Sequence, residues 1–281
     1  MLTIGLALAS AAMYGLSDFI GGVVSRRASA WAVGIVTQIA AFVIIGTATL
    51  LLVAEPEPQD LLWGALAGIG TGSGTAFLYR GLANGRMGVV APLSAVGAAL
   101  LPVAVGVLTG DRPPMLTWIG IGCAVPAIWL VSSAAEPPES SGAGRLGEGV
   151  IDGTLAGLGF GLMFAALAQV PDAAGLAPLA VAEVIAIGTI IVLATVMRQP
   201  WVPRERHAWW GVVVGALAAI AAVCFLFASQ TGMLAVAAVL TSLYPVFTVL
   251  LAATVLRERI QGPQAVGLGL AAVAVALVAV G

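Results

Sequence analysis

Apolar residues run through this chain in stretches of about twenty, separated by short polar or helix-breaking segments. A helix that crosses a bilayer needs roughly 20 mostly apolar residues. Ten such stretches are present, at about 3–24, 31–53, 61–82, 88–109, 115–134, 151–170, 175–197, 209–230, 234–256 and 263–280. The breaks carry the expected punctuation: Ser25-Arg26-Arg27, the run from Glu55 to Asp60, Asn84-Gly85-Arg86, Gly110-Asp111-Arg112-Pro113-Pro114, Pro171-Asp172, Arg198 to His207, and Arg257-Glu258-Arg259. Transmembrane barrel strands alternate apolar and polar residues over about ten positions. These runs are twice as long and do not alternate, so the pattern predicts an all-α integral membrane protein of ten transmembrane helices. The first stretch lacks the basic start of a signal peptide and exceeds its usual apolar length, so it is read as a membrane helix.

Composition narrows the class further. Hydrophobic residues make up 60% of the 281 and charged residues 9%, against about 25% in soluble domains. A soluble enzyme and a disordered chain are excluded. The balance of 11 basic and 13 acidic residues leaves no basic patch for nucleic acid. All the basic residues are arginine. Cys123 and Cys224 lie in apolar stretches and the lone His207 sits beside Arg206, so no disulfide framework, metal site or cofactor is expected.

Shifted by 147 residues, the two halves align without a gap from Leu61 to Val125. Trp63-Gly64 falls on Trp210-Gly211, Gly68 on Gly215, Asp111-Arg112 on Glu258-Arg259, and Gly120 on Gly267. Shifted by 146, Tyr14-Gly15 meets Phe160-Gly161. The chain therefore divides into a first five-helix repeat (1–135), a Pro-, Ser- and Gly-rich linker (136–149) and a second repeat (150–281). Five is odd, so the second repeat enters the membrane from the opposite side. Inverted repeats of this kind build secondary transporters with the substrate site at the midplane.

Ten helices in two halves, each ending in an acid before a last glycine-containing helix, resemble the EamA-type transporters of the drug/metabolite transporter superfamily. The resemblance rests on Tyr14-Gly15, Pro92, Gly110-Asp111-Arg112-Pro113 and Gly120 in the first half. In the second it rests on Tyr244-Pro245-Val246-Phe247, Arg257-Glu258-Arg259 and Gly267. Asp111 departs from it, standing where the family usually has Glu. The stretch Tyr14 to Gly22 followed by Ser25-Arg26-Arg27 resembles a bacterial subgroup. The resemblance implies a multi-pass protein of a bacterial plasma membrane. It implies a transporter of amino acids, metabolites or drugs that alternates access to a cavity between the halves, built mainly from spans one, three, four, six, eight and nine. The partners are a small-molecule substrate and the lipid bilayer, with protons the candidate coupling ion and a monomer or a homodimer the open assembly states. A membrane-embedded enzyme acting on lipid-linked substrates would need a cluster of His, Asp, Glu or Ser at one interface. A passive channel would need a continuous polar face. The sequence has neither.

Arginines cluster in the odd-numbered loops, with only Arg112 in the even ones. The positive-inside rule then puts the odd loops in the cytoplasm and both termini outside. The family resemblance implies termini inside, and the charge count is followed here.

Candidate site residues fall into three groups. Asp18, inside the first span, is expensive in lipid unless it faces a cavity or a partner, and Arg26, Arg27 and Arg80 are the available partners. Asp18 and Glu183 are the coupling candidates. For Glu183 a neutralised packing role is favoured, because span seven corresponds to span two, which is peripheral in the family. The substrate-binding candidates are Tyr14, Asp18, Tyr79, Arg80, Phe160, Phe164, Gln230 and Tyr244. Arg80 either holds a substrate carboxylate or anchors at the interface, and the anchor is favoured. Gln38, Gln169 and Gln230 are read as interhelical hydrogen-bonding groups, Gln230 being the best placed for a cavity. The gate and hinge candidates are Pro92, Pro102 and Pro245, which remove backbone hydrogen bonds, with Asp111-Arg112 and Glu258-Arg259 at the span ends. Each of these acids is expected to accept from the free amides that open the next helix.

Overall fold

The computed structural model describes residues 1–51, 54–84, 87–132, 143–255 and 260–280, with the side chains of 87–89, 91–92, 132, 143–147, 252 and 279 excepted. Among the described residues the protein is 86% helical with no strand. The helices are α1 (Leu2–Ser25), α2 (Ala30–Leu51), α3 (Pro58–Ala83), α4 (Met87–Thr109), α5 (Met115–Ser132), α6 (Ala143–Leu167), α7 (Ala177–Val196), α8 (Gly211–Thr231), α9 (Leu234–Thr241), α10 (Tyr244–Val255) and α11 (Gly262–Val280). Seven candidate spans are long and apolar enough to cross a membrane, with α9 and α10 together forming one of them. Three shorter apolar helical segments, Leu93–Thr109, Met115–Val131 and Gly262–Val278, accompany them. Large apolar side chains such as Leu50, Leu108, Val192, Val196 and Val266 point outward. This is the face expected of a multi-pass membrane protein, where lipid solvates the outside and helices keep every backbone bond internal.

Two boundaries differ from the sequence reading. Helix α6 begins at Ala143, inside the stretch expected to be linker, while residues 133–142 lie outside the described residues. The ninth apolar stretch is two helices, interrupted at Ser242 and Leu243.

Glycine decides how the helices pack. A Cβ at Gly64 would lie 2.2 Å from the Pro178 carbonyl oxygen, and one at Gly68 would lie 2.4 Å from that of Ala182. These glycines let α3 and α7 touch backbone to backbone, the small-residue packing that replaces hydrophobic burial in lipid. The glycines aligned with them at a shift of 147 residues do the same elsewhere. Gly211 meets the Val33 carbonyl and Gly215 that of Thr37, joining α8 to α2. Gly161 meets the Gly97 carbonyl and Leu101 on α4, while Gly15 meets the Tyr244 carbonyl and Thr248 on α10. Gly120 packs on Leu277 and Val278, and Gly267 on Leu130 and Val131. Exchanging the halves carries each contact onto another, and the main helix pairs follow the same rule: α3 on α6 with α8 on α1, α3 on α7 with α8 on α2.

Hydrogen bonds show which loops share an end. Ser29, after α1, donates to Pro200 O, after α7. Arg80 near the end of α3 reaches Asp152, nine residues into α6, and Met197 after α7. These join the odd-loop end. At the other end Glu55 N donates to Ala173 O at 3.1 Å, and Thr3 bonds Thr231 across the halves at 3.2 Å.

Candidate functional site: an acidic cavity between the halves

An interior cavity of about 50 Å³ lies where the halves meet. That is room for a few water molecules. Helix α1 contributes Tyr14, Ser17 and Asp18; α2 gives Thr37 and Gln38; α3 gives Thr71, Thr75 and Tyr79. From the second half come Phe160, Met163 and Phe164 on α6, Glu183 on α7, Ala218 and Ala222 on α8, and Tyr244 on α10. Of the eight substrate-binding candidates, six therefore share one cavity: Tyr14, Asp18, Tyr79, Phe160, Phe164 and Tyr244.

Local sequence explains how these side chains reach it. Tyr14 and Asp18 are one helical turn apart and share a face of α1. Tyr79 fits beside α1 because residue 21 is glycine: a Cβ there would lie 2.7 Å from the Tyr79 hydroxyl. Phe164 is fixed from two sides, edge-on to Tyr14 at 6.1 Å and tilted against Phe225 at 4.3 Å between ring centroids. The interruption at Ser242 starts a fresh helix, which places Tyr244 at its first residue; its hydroxyl bonds Ser94 on α4 at 3.0 Å.

Several expectations change at this point. Glu183 is not a peripheral packing residue. It is 5% exposed, lines the cavity, and its Oε2 has no hydrogen-bond partner among the described residues. The sequence signal was present in the packing register: Val33 and Thr37 match Pro178 and Ala182, so the next residues, Gln38 and Glu183, occupy equivalent places in the two halves. Gln38 is 2% exposed, and its amide nitrogen also lacks a partner among the described residues. Spans two and seven thus line the cavity, whereas no described side chain of α4 does.

Arg80 faces away from the cavity. Its guanidinium forms a salt bridge with Asp152, whose side chain is 1% exposed, and stacks over Phe77 with 4.8 Å to the ring centroid. Its partner is a buried carboxylate, which the sequence reading did not give it. Asp152 went unnoticed because it stands at the edge of its span, where acids are common. Asp18 is left without an ion pair among the described residues, so the pairing with Arg80 does not form. Gln230 lies off the cavity and donates to Val170 O at 3.1 Å.

The gate and hinge candidates also separate. Pro92 and Pro102 sit inside α4, which runs unbroken, whereas Pro245 follows the interruption as the second residue of α10. A proline in the first turn of a helix forfeits no hydrogen bond. Asp111 caps a different helix from the one expected. Its Oδ2 accepts from Ala235 N at 2.9 Å, at the start of α9, rather than from α5. Arg112 donates to Val107 O and Asp111 O and does not pair with the neighbouring carboxylate. Glu258 and Arg259 lie outside the described residues. No group of three or more His, Cys, Asp or Glu with metal-binding geometry occurs among the described residues.

No curated relative matches the sequence. Among the solved structures that match, one crystal structure aligns over 96% of this chain and 98% of its own, with a TM-score of 0.67 and 16% identity, a likeness of fold. Residues 147–280 match the EamA-like transporter family. Over that second half the chain matches the EamA-like transporters, part of the drug/metabolite transporter superfamily.

Proposed function

We propose that the protein is a secondary transporter of small organic molecules that works by alternating access. Ten spans form two inverted five-helix repeats, and the halves rock about the cavity between them. The observation that carries this reading is a cavity lined from both halves, inside a frame whose glycine contacts recur when the halves are exchanged. Buried polar groups left unpaired are costly. Gln38 and Glu183 are such groups, and they are the pieces of a site that a solute completes. The two ends are fastened differently. Arg80 on Asp152 holds α3 to α6 at the odd-loop end, and Asp111 holds the start of α9 at the even-loop end. Opening toward one side requires releasing one fastener while the other holds.

Solute counterflow in proteoliposomes tests the reading. Protein loaded against a panel of amino acids, amines and nucleobases exchanges at least one of them saturably. Ala218→Phe, which fills the cavity without touching a carboxyl, lowers that exchange at least tenfold while the protein still elutes as a single species. Exchange that no panel member saturates would sink the transport reading.

The arginine count supports an orientation in a bacterial plasma membrane with the odd-loop end in the cytoplasm and both termini outside. A C-terminal reporter that lights only in the cytoplasm then stays dark, and a bright signal reverses the assignment.

A further inference from the structure

We infer that the solute carried through this cavity is an organic cation, an ammonium group on an apolar or aromatic body, and that it enters in exchange for protons. The inference rests on the transport reading and names its substrate class.

Three observations lead to it. First, the cavity holds two carboxyls, Asp18 and Glu183, on different helices and from different halves. The ionisable groups facing them around the cavity are Tyr14 on α1, Tyr79 on α3 and Tyr244 on α10. None of these is basic, and Arg80, the nearest arginine in sequence to a cavity residue, is committed to Asp152. An ionised carboxylate in a dry interior demands a counterion. Since no described residue at the cavity supplies one, the countercharge comes from the occupant, which is a proton or a cation. Second, Gln38 and Glu183 each present a buried polar atom without a partner at this cavity. These are recognition groups rather than packing groups. Third, Tyr14, Phe160, Phe164 and Tyr244 supply ring surface around the same space. Aromatic faces attract desolvated cations and also pack an apolar body.

The placement of the carboxyls fits two-sided access. Asp18 stands seven residues before the end of α1, about 10 Å from the odd-loop end by helical rise. Glu183 stands six residues after the start of α7, about 9 Å from the even-loop end. A cation arriving from either side meets a carboxylate first, and Tyr14 lies within electrostatic reach of both acids. Their repeat partners are not acids: Phe164 matches Asp18, and Gln38 matches Glu183. The frame is symmetric and the charge in it is not. Charge balance sets the stoichiometry. When a monocation binds, at least one carboxyl proton leaves for the aqueous side then open, and it is taken up again when the cation departs.

The test uses the full chain in proteoliposomes with three probes of one shape: 2-phenylethylamine as its ammonium ion, 2-phenylethanol, and 3-phenylpropionate. The ammonium binds saturably and releases protons to an external pH dye, and its affinity rises up to tenfold per pH unit as the medium becomes more alkaline. The alcohol and the carboxylate bind at least tenfold more weakly and release none. Asp18→Asn and Glu183→Gln keep the shape of each side chain, and each lowers ammonium affinity at least tenfold. Their combination abolishes both binding and proton release. If the alcohol or the carboxylate exchanges as well as the amine, or if binding ignores pH, the cation inference is wrong while the transport reading stands. If none of the three probes and none of the solute panel exchanges, both fall.

Discussion

Asp152 and Glu183 are both buried carboxyls in the second half, and their neighbours differ. Asp152 accepts from Nε of Arg80 at 2.9 Å and is tied to α3 by a salt bridge. Glu183 has an oxygen without a hydrogen bond among the described residues and faces the cavity. An acid matched by a guanidinium has its charge compensated by the fold, and removing the match costs stability. An acid facing a cavity without a basic group has its charge compensated by whatever binds, and removing it costs function. The same contrast separates Arg80 from its neighbour Tyr79: adjacent on α3, one turns to the fastener and the other to the cavity.

Substitutions sharpen this contrast. Arg80→Ala leaves Asp152 buried without its guanidinium and lowers stability by about 3 kcal/mol or more, read as an earlier thermal transition in lipid or detergent. Replacing both partners, Arg80→Met with Asp152→Leu, recovers most of the loss, since a well-packed apolar pair is close to neutral against a buried ion pair. A stability change under about 0.5 kcal/mol in Arg80→Ala would make the pair an ordinary surface contact. In the cavity the pattern reverses. Asp18→Asn and Glu183→Gln shift stability by less than about 1 kcal/mol, or raise it, because each removes a carboxyl that lacks a basic partner. Destabilisation as large as that of Arg80→Ala would place these acids in the scaffold.

The sequence made much of this visible, unevenly. Helix positions were legible because a bilayer forces about twenty apolar residues per helix, and seven of the helices are long and apolar enough to cross one. The close-packing glycines were legible: Gly64, Gly68, Gly211 and Gly215 stand out in the sequence, and each lets a backbone touch another backbone where no larger residue fits. Asp18 stood out as an acid deep in an apolar run, with Tyr14 one turn away. Other features depended on which helices become neighbours. The partner of Arg80 lies 72 residues away at a span edge. Glu183 was misjudged because its role was taken from the general layout of the family, whereas the packing register of α2 and α7 places it beside the cavity. The interruption at Ser242 was hidden because Pro245 reads like Pro92 and Pro102. Only packing decides which proline follows a break and which is absorbed by an unbroken helix, as in α4. The capping of α9 by Asp111 was half legible: an acid beside free amides was foreseen, and the identity of the helix was set by tertiary contact.

Alternating access is the central claim, and sidedness of labelling tests it most directly. Thr75→Cys places one thiol on the cavity wall of α3, in a background with Cys123 and Cys224 replaced by Ser. A membrane-impermeant maleimide is applied from one face at a time in vesicles of known orientation, with and without a transmembrane pH gradient. The account predicts labelling from both faces, with the two rates moving in opposite directions when the gradient is imposed. Labelling from one face under every condition, or two rates that rise and fall together as in an open channel, would contradict it.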